Sequence, residues 1–212
     1  MGNAVVNDDE DVPRAAAGSA AVQARPAASL LVMRRDVDAV RLLMARRGPG
    51  HRFMPNMLVF PGGAVDRAEH AAPAASEPRP EVLARLARGA DAALARALAV
   101  AVARELEEEV GLSLGSPPAL APLEYICRAI TPPDRIMRFD ARFFVVDAVH
   151  VMGEVRGSDE MEAPRWYTVD EALAAESPGA TKAVLAQFSA WLANPVLGEG
   201  VPVLRDRVWT VD

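Results

Sequence analysis

At 212 residues the chain is long enough for one domain with a sizeable core, and 51% hydrophobic with 25% charged residues is the balance of a globular protein. A net charge of −6 excludes a broad electrostatic pull towards nucleic acid, and a single cysteine, Cys127, excludes an intramolecular disulfide or a thiolate metal cage. No run of 18 uncharged apolar residues is present to span a membrane. The acidic N-terminus is unlike a signal peptide and the closing Trp-Thr-Val-Asp is no peroxisomal address, so the expected location is the cytoplasm.

Residues 1–25 mix Asp8, Asp9, Glu10 and Asp11 with Ala, Gly and Pro and show no periodicity; a mobile acidic tail, or a segment ordered only by docking, is expected there, ahead of a single domain over 26–212. Apolar runs at 28–33 and 39–45, joined by a polar turn, predict a β-hairpin. Gly48, Pro49, Gly50 and Pro55 make 46–55 a loop, and 57–60 is a short strand leading into Pro61-Gly62-Gly63. Residues 70–80 read as a loop, 80–88 as a helix opened by Pro80, and 91–110 as a long Ala-rich helix stopped by Gly111. Strands are predicted at 124–130, 138–146, 149–155 and 165–168, with an acidic loop at 157–164. Helices follow at 169–175 and 180–192, then extended segments at 201–204 and 207–211. Strands alternating with helices in this way predict a mixed β-sheet sandwiched between helices, an α/β fold.

The chemistry concentrates at Arg104-Glu105-Leu106-Glu107-Glu108-Glu109-Val110-Gly111-Leu112. On a helix Glu105 lies one turn below Glu108 and Glu109, whereas Glu107 is rotated about 200° away. Three carboxylates held close repel one another. A divalent cation removes the repulsion, and hard cations prefer oxygen ligands. A solvated acidic helix face gives the same spacing. A second segment, Phe60-Pro61-Gly62-Gly63-Ala64-Val65-Asp66-Arg67-Ala68-Glu69, sets a paired-glycine turn ahead of another acid.

Gly63, five residues, Glu69, a spacer and then Arg104-Glu105-Leu106-x-Glu108-Glu109-x-Gly111-Leu112 resemble the Nudix hydrolase box, G-x5-E-x7-R-E-U-x-E-E-x-G-U. Every specified position matches except the spacer: residues 70–103 number 34 where the pattern has seven, which marks an insert over about 70–96. The resemblance implies an α/β/α sandwich with a helical insert within the box. It also implies a hydrolase that cleaves diphosphate linkages of a small-molecule substrate with Mg²⁺ or Mn²⁺. Glu105, Glu108 and Glu109 are the expected metal ligands, and Gly62 and Gly63 let the backbone approach metal or phosphate. Arg104 and Glu69 are expected to pair or to support the metal shell. Glu160 or Glu162, in the acidic loop, is the candidate general base.

The segment before the box is similar to the L-L-T-x-R-[SA]-x3-R-x3-G-x3-F-P-G-G pattern of the coenzyme A and acyl-CoA diphosphatases, matching at Leu43, Arg47, Arg52 and Phe60 to Gly63 and departing at Met44, Ala45, Gly48 and Asn56. CoA or an acyl-CoA is the substrate this implies, with Arg47, Arg52 and Arg138 on its phosphates. ADP-sugars, dinucleotides and nucleotide polyphosphates are the alternative substrates, and a Nudix-fold binding module without turnover is the alternative of another class. The apolar side of 80–98, carrying Val82, Leu83, Leu86, Leu94 and Leu98, is expected to pack on the domain or on a second subunit of a homodimer, walling one side of the substrate cleft.

Overall fold

The structure is a computed structural model that describes residues 13–16, 18–50, 54–195 and 200–212. Its frame is a nine-stranded mixed sheet. The strands are β1 (Arg25–Arg35), β2 (Val40–Arg47), β3 (Leu58–Val59), β4 (Gly62–Ala64), β6 (Glu124–Ile130), β7 (Phe139–Asp147), β9 (Met161–Thr168), β10 (Pro202–Arg205) and β11 (Val208–Val211). They run in the order β11-β10-β6-β7-β1-β2-β3, with β4 also paired to β1 and β9 to β2. β1–β7 and β6–β10 are parallel; the other pairs are antiparallel. A separate ladder joins β5 (Leu112–Ser113) to β8 (Met152–Gly153).

Alternation along the strands divides the core in two, because successive side chains leave opposite faces of a sheet. Leu30, Val32, Phe144, Val146 and Val203 pack with the helices α1 (Pro80–Leu86) and α2 (Ala92–Val110). Their neighbours Leu31, Met33, Phe143, Val145 and Leu204 pack with α4 (Gly179–Ala193), beside the short α3 (Val169–Ala174). On β6 an irregularity between Tyr125 and Cys127 breaks the alternation, so Ile126 and Cys127 both face the α4 side. The layers are therefore helix, sheet, helix, as expected. Among the described residues no helix is long and apolar enough to cross a membrane.

α2 explains itself locally. Asp91 accepts the Leu94 N–H at 2.8 Å as N-cap, seven alanines favour the helix, and Gly111 ends it at φ 73°, a left-handed conformation that an L-residue adopts at a cost. The segment 70–96 begins at the last residue of a 3₁₀ turn at Arg67–His70 and packs on the α2 side of the sheet. Val82 is fully buried, Leu86 nearly so, and Leu83 and Leu94 lean on the same cluster. Arg85 adds a hydrogen bond of 2.8 Å to the Gly200 carbonyl.

Several boundaries differ from expectation. β1 starts at Arg25 and β9 already at Met161, so the acidic loop is shorter than predicted. The predicted strand at 149–155 is a 3₁₀ turn (Ala148–His150) followed by the two residues of β8. The tail reading of 1–25 lies partly outside the described residues. Within them, the Ala15 N–H donates to the Asp134 carbonyl at 2.8 Å and the Ile136 N–H to Pro13 at 3.2 Å, which ties residues 13–15 to the β6–β7 loop.

Candidate active site

β4 brings the two glycines against the C-terminal half of α2. Gly62, at φ 154°, lies so close to β1 that a Cβ there would strike the Ala28 carbonyl and Ser29; at Gly63 a Cβ would strike the Glu105 carboxylate. Only glycine permits this approach. Its consequence is a hydrogen bond from the Gly62 N–H to Glu109 Oε2 at 2.7 Å, which fixes one carboxylate against the strand.

Arg104 is the hub of the acids. Its guanidinium donates to Glu69 Oε1 at 2.6 Å, Glu105 Oε1 at 2.8 Å and Glu108 Oε2 at 2.6 Å. Glu69 is 2% exposed, and its second oxygen accepts the Asp66 N–H, closing a capping box at the 3₁₀ turn. The two halves of the motif therefore meet in space across the long spacer. Burial works against the Arg104 charge, but the hydrogen bond to Glu69 and the charges of Glu105 and Glu108 outweigh it and hold its pKa above the usual arginine value.

Glu105 and Glu109, four residues apart, are both buried, while the Glu108 side chain is 58% exposed and lies on Arg104. Burial raises the pKa of Glu105, with Arg104 opposing the shift and Glu108 and Glu160 adding to it. Burial pushes Glu109 up to about 8, against the Gly62 N–H and Arg47, with Glu105 and Glu160 adding repulsion. Arg47 faces the same carboxylates; burial lowers its pKa, the three acids counter this, and its Nε is buried without a hydrogen bond.

Glu105, Glu109, Glu160 and Arg47 share the wall of one cavity of about 630 Å³. From them it runs along the α4 face of the sheet, over Ala27, Ser29, Ala141 and Phe143, past Pro178 and Thr181. Glu160 is held there by its backbone: the Gly48 N–H donates to the Glu160 carbonyl at 2.9 Å, and the Glu160 N–H donates to Ser158 Oγ at 3.3 Å. Glu162 is exposed on β9 opposite Arg46 and does not reach the cavity.

The remaining expected residues are less central. Arg52 lies outside the described residues. Arg138 donates to the carbonyls of Thr131 at 3.0 Å and Val22 at 2.7 Å and stands outside the cavity wall. No residue of 71–97 lines the cavity, so the segment does not wall the cleft as the sequence suggests; its apolar face is taken up on the opposite side of the sheet. Sequence reasoning missed Arg25, Arg135 and Arg207, which line the far end of the cavity.

The donor set suits a hard divalent cation. Burial raises the proton affinity of Glu105 and Glu109, with the charge of Glu160 adding to both, and Mg²⁺ is commonly held by one or two carboxylates with its remaining positions left to water and substrate phosphate. Among the described residues no three acids, imidazoles or thiolates converge as a ready-made metal cage, because Glu108 is turned to Arg104.

Comparison with known proteins accords with this arrangement. Residues 95–192 match the model of the NUDIX domain. A Nudix hydrolase from Alicyclobacillus acidocaldarius superposes with a TM-score of 0.64 at 26% identity, over 84% of this chain and 98% of that one. A MutT Nudix hydrolase from Burkholderia pseudomallei follows the same fold with a TM-score of 0.52 at 23% identity, over 78% of this chain and 98% of that one. The Nudix domain of Shewanella oneidensis NrtR, solved with ADP ribose, shares the fold with a TM-score of 0.53 at 11% identity, over 81% and 90%. No curated protein matches the sequence. With the glycine turn, the Arg104 hub and the buried carboxylates assembled on it, the fold is that of the Nudix hydrolases, and the NUDIX domain match over 95–192 accords with a hydrolase of diphosphate-containing substrates.

Proposed function

We propose that the enzyme is a Mg²⁺- or Mn²⁺-dependent diphosphatase acting on coenzyme A or an acyl-CoA, adding water across the diphosphate to give 3′,5′-ADP and (acyl-)phosphopantetheine. The observation that carries this reading is the single cavity that joins Glu105, Glu109, Glu160 and Arg47 to a long, largely apolar wall. A compact nucleoside diphosphate would leave most of that wall uncovered, whereas a diphosphate bearing bulky groups on both sides covers it. The partial match at Leu43, Arg47 and Phe60 to Gly63 supports the same substrate.

Glu105 and Glu109 would hold the cation, with Glu108 as the third carboxylate of the set. A bound cation supplies charge neutralisation at the diphosphate and a water of lowered pKa. Arg47 binds the diphosphate oxygens by charge-assisted hydrogen bonds. Glu160 takes the proton from the attacking water, since it is the loop acid that faces Glu105 and Glu109. Arg104 orients Glu105 through their 2.8 Å contact.

The test is a Mg²⁺- or Mn²⁺-supplemented panel of CoA, acyl-CoA, ADP-ribose and dinucleoside polyphosphates, with products identified by mass and EDTA as control. CoA cleavage to the two named products is expected. Turnover of another member in place of CoA replaces the substrate, and binding without turnover replaces the enzyme by a binding module.

Gly48 gives a narrower test of Glu160. A Cβ there would stand 2.6 Å from the Asp159 carbonyl oxygen, so Gly48→Ala must displace the backbone that carries Glu160. A shift of a few tenths of an ångström is expected to lower kcat by roughly tenfold with little change in Tm. An unaltered kcat in Gly48→Ala would remove Glu160 from the proton-transfer role.

A further inference from the structure

The two edges of the sheet are built differently. At one, β9 carries the devices that keep a strand from pairing with another chain: Glu162 and Arg165 are exposed charges, Ala163 sits at φ 46° and Pro164 has no N–H. At the other edge β11 follows β10, and none of these devices occurs within Val208-Trp209-Thr210-Val211. Among the described residues no strand covers the outer side of β11, and Val211 is 63% exposed. A run of β-branched and aromatic residues with an open row of backbone groups is a template for a further strand.

The register of the last hairpin fixes which backbone groups that row contains. The Val201 N–H donates to the Asp212 carbonyl and the Asp212 N–H to the Val201 carbonyl, both at 3.0 Å. In an antiparallel pair such doubly bonded positions alternate with unbonded ones. Thr210, opposite Val203, and Val208, opposite Arg205, therefore also turn their N–H and C=O to β10. Trp209 and Val211 turn theirs outward. The side chains of these two residues share the α4 face of the sheet, where Trp209 stands opposite Leu204 and packs on its cluster.

We infer that β11 is the interface of a two-fold homodimer, in which the strand pairs antiparallel with β11 of a second copy. Such a pair can slide only in steps of two residues without turning its bonding groups away. One register satisfies the edge. Trp209 lies opposite Val211 of the second copy and Val211 opposite its Trp209, each pair exchanging both N–H···O=C bonds, with the two Thr210 residues on the axis. The Trp–Val pairs carry the apolar α4 face across the axis, an aromatic side chain against a β-branched one. Val208 then faces Asp212 of the second copy, which brings that carboxylate into the row of Arg205, whose side chain is 47% exposed. Sliding one step one way sets Asp206 opposite Asp212 of the second copy, like charge on like. Sliding the other way sets Trp209 past the end of the strand. The contact uses the β11 edge once and β9 is blunted, so assembly closes at the dimer.

The experiment is sedimentation velocity on the full chain at roughly 1–100 µM, the range in which modest interfaces associate, for the wild type, Val211→Pro and Val211→Lys. Val211→Pro removes an outward N–H and leaves the bonds to β10 in place. Val211→Lys sets a charge against Trp209 of the second copy. The wild type is expected to dimerise as its concentration rises, and each variant to weaken the dimer by about tenfold or more, the scale of one or two hydrogen bonds lost on each side of the axis. Amide hydrogen exchange reads the same contact without a substitution. Protection of the Trp209 and Val211 N–H groups should grow with concentration, while the Thr210 N–H, bonded within the hairpin, is protected throughout. A wild type that stays monomeric leaves the edge to a strand of another protein and overturns the homodimer. A dimer that both variants leave intact overturns the interface. Should Val211→Pro lower Tm in the monomer, exchange in the wild type decides alone: protection of Trp209 and Val211 that does not change with concentration overturns the pairing.

Discussion

Glu109→Gln is expected to lower kcat/KM by roughly three orders of magnitude, on the order of 4 kcal/mol of transition-state stabilisation, in a protein that is at least as stable as the wild type. The amide keeps the shape of the carboxyl, and its oxygen can still accept the Gly62 N–H that now lies 2.7 Å from Oε2. What disappears is a carboxyl whose ionisation is opposed first by burial and then by Glu105 and Glu160. Without a divalent cation the unfolded chain ionises this group more readily than the folded one at neutral pH, which works against the fold, so in EDTA the variant should melt a few degrees above the wild type. Steady-state kinetics and thermal melts with and without Mg²⁺ check both halves of the expectation. Wild-type turnover at saturating Mg²⁺ would take Glu109 out of the reaction, and a lower Tm in EDTA would show that its charge is compensated in the fold.

Arg104→Met should instead act on stability first, by about 3–5 kcal/mol, the usual consequence of removing one partner of a buried ion pair. Glu69, 2% exposed, would keep only the Asp66 N–H as partner for a charge that is out of reach of water. Glu105 and Glu108 would lose their nearest cation at the same time. Adding Glu69→Gln in the same chain removes the stranded charge and should restore a large part of the loss, so the two substitutions are strongly non-additive. Urea denaturation of the two single variants and the double variant measures this. Simple additivity would mean that the 2.6 Å contact between Arg104 and Glu69 does not hold the halves of the motif together.

The outline of the protein was readable because its signals are local. Gly111 after an alanine-rich run announces the end of α2, and alternation along 28–33 and 138–146 announces strands whether or not their neighbours are known. β4 was not readable, since Gly62-Gly63-Ala64 carries no pattern and becomes a strand only by pairing with β1. A helical wheel placed Glu105, Glu108 and Glu109 on one side but could not say which of them turns inward. The sheet settles that by burying Glu105 and Glu109 and leaving Glu108 to Arg104. Glu160 and Glu162 differ for a similar reason: β9 begins between them at Met161, which is fully buried, and Glu162 follows on the outward side. Arg25, Arg135 and Arg207 were beyond reach, because arginine supplies all but one of the 23 basic residues and linear order cannot pick out three that meet through the parallel β1–β7 pair and the last hairpin.

The contact between Glu69 and Arg104 closes the site across 34 intervening residues that line none of the cavity. Chain length between these two positions is therefore close to a free coordinate: each doubling costs only about 0.6 kcal/mol in closure entropy, and the helix at Pro80–Leu86 returns some of that by packing on the core. Chemistry constrains how far apart the glycine turn and the carboxylate helix stand in space and leaves their separation along the chain open to drift. Such a place can gain or lose whole elements over evolutionary time while the reaction centre stays where it was.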